Sequence, residues 1–173
     1  MGWTTLGTTA CGEDGRAPYA GLTRFESESG LFRVHYLSPP WTVEAAEGDA
    51  LRLHVLHAFG ADAGRPPKSV FAVVVVAATS AETHVLDVVR ADRARGYTME
   101  GAVEVFRTRS GDAGYSGTTR DPTRNRWFRH VSLGVGGAGS AGRVVSVTVE
   151  ANVDPRSPEF DAMLRDVDVR PLE

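Results

Sequence analysis

"SVFAVVVVAATSAETHVLDVVRADRARG", residues 69–96, sets a long apolar stretch directly before a helical one. From Ser69 to Thr79 the residues are apolar on both faces and rich in valine, which suits a central strand covered on both sides. A sheet with such a strand needs cover on each face, so at least three layers are expected. The cover follows in the same stretch: Thr79 and Glu82 have capping-box spacing, Val85, Leu86, Val88 and Val89 form a helical stripe, and Gly96 ends it. This predicts a helix from Ala81 to Arg95.

Upstream, "LFRVHYL" (31–37) alternates Phe32, Val34 and Tyr36 with Arg33 and His35, the pattern of a half-buried strand. A short strand over Arg24–Glu26 precedes it across a "SESG" turn, and "SPPW" ends it because proline cannot donate to a ladder. "ALRLHVLHAF" (50–59) alternates in the same way. Downstream, "AVEVFRT", "RWFRHVSLGV" and "RVVSVTVEANV" read as three strands, with "RSGDAGYSGTTRDPTRN" and "GGAGSAG" as connections. A short strand over Tyr115–Thr118 interrupts the first connection. In "SPEFDAMLRDV", Ser157 is the expected N-cap and Pro158 the first helical residue, with Phe160, Met163, Leu164 and Val167 as the apolar stripe. The order of elements argues for an α+β antiparallel sheet with helices packed on its faces, an α/β/α sandwich.

The 173 residues suit a single domain over 22–173, preceded by a flexible tether over 1–21. Net charge is −3, made up of −4 over residues 1–62, +5 over 63–149 and −4 over 150–173, a layering that does not suggest nucleic-acid binding. Lys68 is the only lysine, so arginine counts carry little functional weight. The longest apolar run, Val70 to Ala78, is far short of the roughly 20 residues of a spanning helix. One cysteine excludes an internal disulfide and a cysteine-based zinc site.

"GLFRVHYLSPPW", the capped helix after a buried strand, the run of antiparallel strands and the closing "SPEFDAMLRDVDVR" together resemble the Mog1/PsbP-like fold, over about residues 22–170. Its bacterial members include the DcrB-related envelope lipoproteins. The resemblance implies a binding partner and not an enzyme, and it transfers no site residue to this chain.

Chemical motifs fare poorly in context. "GVGGAG" (134–139) matches a dinucleotide fingerprint but precedes a strand, and Ser140 in "AGSAG" lacks the strand-to-helix turn of a nucleophile elbow. His54 and His57 would point to opposite faces of one strand. His35 and His54, placed on neighbouring strands, would share their face with Arg33 and Arg52, which repel a cation. His84 and His130 are read as surface residues. No catalytic residue, metal or cofactor is therefore expected.

Two functional features remain. "RDPTRNRWFRH" gathers Arg120, Arg124, Arg126 and Arg129 around Trp127, and the connection over Ser110–Arg129 is the candidate binding surface, since long loops carry function. "LGTTACG" resembles a lipobox, with Cys11 as the lipid attachment site. "MGWTTLGTTA" supplies neither the basic nor the apolar part of a signal peptide. Either the true start lies upstream, or Cys11 is a free thiol near the terminus. The expected protein is a non-catalytic envelope lipoprotein, anchored through Cys11 and facing the periplasm, that binds a protein partner. Without an upstream start it is cytoplasmic. The alternatives are a cytosolic chaperone-like domain that binds a protein segment, and an enzyme of unknown reaction.

Overall fold

The computed structural model describes residues 22–56, 68–136 and 142–170. Among them are eleven strands and two helices. Strands β1 (Thr23–Glu26), β2 (Phe32–Tyr36) and β11 (Val167–Val169) form a three-stranded antiparallel sheet in the order β1-β2-β11. The eight-stranded antiparallel sheet takes β3 (Thr42–Glu47), β4 (Ala50–Leu56), β5 (Lys68–Ala78), β6 (Thr98–Met99), β7 (Glu104–Arg107), β8 (Ala113–Asp121), β9 (Arg126–Gly134) and β10 (Gly142–Ala151). Its order is β3-β4-β5-β10-β9-β8-β6, with β7 also paired to β8. Helix α1 spans Ala81–Ala94 and α2 spans Pro158–Arg165. The fold is thus predominantly antiparallel α+β.

Alternation assigns the two faces of the large sheet. One face carries Leu51, Leu53, Phe71, Val73, Val145, Val147, Val149, Val131 and Leu133, all buried in one core with Phe32 and Val34 of β2 and Phe160 and Leu164 of α2. The other face carries His130 and Ser132 of β9 and receives α1. The helix lies against β8 and β9 and buries Ala81, Val85, Val89 and Asp92. Each of those valines contributes about 1.5 to 3 kcal/mol on complete burial. Close approach is possible because β8 has glycine where the helix passes: a Cβ on Gly117 would stand 2.8 Å from Val89 Cγ2.

Several expectations change. The N-cap of α1 is Ser80, whose Oγ accepts from the Thr83 amide at 3.1 Å, so the cap lies one residue beyond Thr79. Leu86 is exposed, because the buried stripe runs through Asp92. The double cover expected for β5 holds only at its start: Val70, Phe71 and Val73 are buried, but Val74 is 40% exposed, since α1 covers β8 and β9 instead. His35 and His54 are not on neighbouring strands, for β2 and β4 belong to different sheets.

The largest correction concerns the connection over 110–129. It is not a long loop but β8, a four-residue turn over 122–125, and the start of β9. Asp121 Oδ1 accepts from the Thr123 amide (2.9 Å) and hydroxyl (2.6 Å), and Asn125 takes a left-handed φ of 49° that closes the turn. The short strand expected over Tyr115–Thr118 is the middle of β8; the rest of β8 reads as a loop because its buried residues are polar: Ser116, Thr118, Thr119 and Asp121 are all at most 5% exposed. Strand β3 was also missed, being exposed along its whole length at the sheet edge.

Helix α2 matches the sequence reading at Phe160, Met163 and Leu164, all buried, but it ends at Arg165, so Val167, expected on its stripe, instead begins β11. Phe160 meets Trp41 edge-on at 6.2 Å, and Trp41 meets Phe71 in the same way at 6.4 Å. Phe160→Ala should therefore cost about 3 to 5 kcal/mol in chemical denaturation, as large core truncations do. An unchanged midpoint would show that α2 does not seal this core.

Candidate functional site

Two places bring chemistry-bearing side chains together. The first lies beneath α1. Asp92, 4% exposed, sits where the helix meets the sheet, and its Oδ2 accepts from Thr119 Oγ1 at 2.6 Å and from His130 Nε2 at 2.9 Å. A carboxylate can only accept, so Nε2 carries the proton. Nδ1 of the same ring is 3.2 Å from Thr148 Oγ1. At the other end of the helix, His84 Nδ1 is 2.8 Å from Ser132 Oγ. Thus His130 is a buried residue and not the surface residue expected, and His84 is half-buried.

Serine, histidine and aspartate are present here, but in two separate pairs. Ser132 bonds His84, whereas Asp92 bonds His130, and Ser132 is 1% exposed beneath the helix. The arrangement works as a clamp. Burial pushes the Asp92 pKa up, but the hydrogen bonds from His130 and Thr119 outweigh it and hold the carboxyl below its usual range. Burial, with His130 nearby, pushes His84 down from 6.5.

Both shifts have one sign for stability. A depressed folded pKa gives stability that is present above the unfolded value and lost as pH falls through the folded one. The His84 contribution is therefore complete above about pH 6.5 and declines below it; that of Asp92 is complete above about 3.8 and declines below that. Denaturation midpoints should fall as pH drops below about 6.5, and His84→Gln should remove part of that slope. An unchanged slope would remove His84 from the account.

The second place is a cavity of about 250 Å³ between the end of β2 and α2. Tyr36, Leu37, Pro40 and Trp41 supply one wall, Ala162 and Met163 the other, and Leu22 closes a side. The wall is rigid because Trp41 is held by Phe71 and Phe160. Besides Tyr36, three ionisable residues face the cavity: His35, Glu159 and Asp166. Burial, reinforced by Arg33, pushes His35 down, and burial pushes Asp166 up against the opposing pull of Arg109. Arg109 Nη1 stands 2.9 Å from Asp166 Oδ1, but that oxygen has no hydrogen bond among the described residues.

The five residues of the arginine-rich candidate surface do not form one surface. Arg129 is 4% exposed; its Nε donates to Ser116 Oγ (3.1 Å) and its Nη1 to Asp161 Oδ1 (3.0 Å), so it secures α2 to the core. Arg126 points to the opposite face of β9, where Nη2 and Nε donate to Glu150 Oε1 and Nη1 donates to the Lys68 carbonyl. Arg120 lies with its Cζ 4.9 Å from the Trp127 ring centre and donates to Asn125. Arg124, in the turn, is the exposed one. Strand alternation separates residues that are close in sequence. Cys11, His57, Ser140 and the tether over 1–21 lie outside the described residues.

Sequence reasoning missed the cavity because its lining comes from separate segments that are apolar for packing reasons alone. Asp92 did give a signal: it falls seven residues after Val85 on the buried stripe, and a carboxylate there requires a partner. Among the described residues no group of three or more histidine and acidic side chains could hold a metal ion, and no helix is long and apolar enough to cross a membrane.

No family model and no curated protein matches this chain. A crystal structure from Bacteroides thetaiotaomicron VPI-5482, at 1.50 Å resolution, is similar with a TM-score of 0.44 and 8% identity over 85% of this chain. The match covers 48% of that protein, so this chain spans about half its length.

Proposed function

We propose that this chain is a non-catalytic binding module that takes a small apolar ligand in the cavity between β2 and α2. The observation that carries the reading is the cavity itself, which is preformed on rigid elements and mostly apolar, with a few converging polar groups of shifted pKa. In this reading the fold is a three-layered arrangement of the Mog1/PsbP kind, supported by α1 lying against β8 and β9 and by Phe160 and Leu164 of α2 sharing the core of the opposite face.

The methionines offer a direct test, since Met163 lines the cavity and Met99 lies on β6. With methyl-labelled methionines, phenethyl alcohol should shift the Met163 resonance saturably and leave Met99 unmoved. Ala162→Phe, which fills the cavity, should abolish the shift. A non-saturating response, or none, would overturn the assignment.

The same reading places the module at the bacterial envelope through a lipid on Cys11, on the strength of the lipobox-like "LGTTACG". A precursor expressed with its upstream sequence should incorporate radioactive fatty acid, and Cys11→Ser should not. Equal labelling of the two proteins would exclude that anchor.

A further inference from the structure

The polar groups at the cavity mouth are uneven in a way that selects a ligand. Of the four ionisable residues that line it, His35, Tyr36, Glu159 and Asp166, two are carboxylates that can only accept when ionised, and among the described residues no arginine or lysine is part of its lining. Glu159, on the first turn of α2, has no ion pair among the described residues, whereas Asp161 two positions on is held by Arg129 and Arg165. Asp166 is 11% exposed, and its Oδ1 is charge-balanced by Arg109 but receives no hydrogen bond among the described residues. A carboxylate ligand would meet two carboxyl groups of like charge. A neutral ligand would leave the Glu159 carboxylate without a counter-charge among the described residues.

We infer that the cavity binds an apolar primary amine, its ammonium head received by Glu159 and Asp166 and its body held by Leu37, Trp41 and Met163. An ammonium brings three donors and no acceptor to the two carboxylates of the lining, Glu159 and Asp166. Its charge-assisted hydrogen bonds are about twice as strong as neutral ones. A cation at the mouth also offsets the burial that disfavours the charged form of Asp166. Size restricts the body: about 250 Å³ is below the range of roughly 300 to 1,000 Å³ typical of drug-sized ligands, so it suits one ring or a short branched chain.

This inference rests on the cavity being a ligand site, and three probes with the same ring separate the two claims. Phenethylamine, phenethyl alcohol and hydrocinnamate are titrated into the full chain at neutral pH while the Met163 methyl resonance is followed. The amine should bind about tenfold more tightly than the alcohol, as a hydrogen bond to a charged group allows, and hydrocinnamate most weakly. Glu159→Gln should reduce the preference for the amine several-fold while leaving the alcohol's affinity unchanged. Equal binding of amine and alcohol, tighter binding of hydrocinnamate, or a preference that survives Glu159→Gln would overturn the amine assignment and leave the cavity as an apolar site. Failure of all three probes to shift Met163 would overturn the cavity reading as well.

Discussion

A buried carboxylate governs how the two faces of this protein are built. Asp92 lies on the stripe of α1 that meets the sheet, where an unpaired charge would cost several kcal/mol. The sheet must therefore present donors at that point, and β8 and β9 do so with Thr119 and His130. The helix can reach them only because Gly117 leaves room for Val89. Register follows: Gly117 faces His130 and Thr119 faces Phe128 across the ladder, so a one-residue slip would present the wrong face to Asp92.

The opposite face follows a different rule. Its core is apolar and large, and it gathers Phe32, Phe71, Phe160 and Trp41 in one buried cluster. The buried guanidinium of Arg129 there is met by Ser116 and Asp161, and Asp161 in turn is held by Arg165. These bonds fix α2, and α2 supplies one wall of the cavity. The site thus owes its rigidity to contacts that never touch a ligand.

Legibility differed sharply between fold and site. The strands β2, β4, β9 and β10 and both helices show the period of their structure, because each divides its residues between an apolar core and a less apolar face. Strand β8 shows it only over Tyr115–Thr118, since its neighbours are a helix carrying Asp92 and a core arginine, and its partners had to be Ser116 and Thr119. Polar residues in a run read as a loop unless their buried partners are known. The arginine-rich segment misled for the converse reason. Adjacent positions on β9 face opposite ways, so Arg126 and Arg129 never share a surface.

Sequence alone determined strands β2, β4, β5, β9 and β10, the capped helix after the valine-rich strand, and the apolar stripe of Phe160, Met163 and Leu164. These are local properties, set by periods of 2 and 3.6 and by turn chemistry. Tertiary structure decided which residues meet: that His130 belongs to Asp92, that Arg129 belongs to Asp161, and that Leu22, Trp41, Met163 and Asp166 surround one cavity. Those pairings join residues as much as 144 positions apart, and no local period carries information over such a separation. A cavity, moreover, is a place where packing stops, and only the arrangement of finished elements shows where that is.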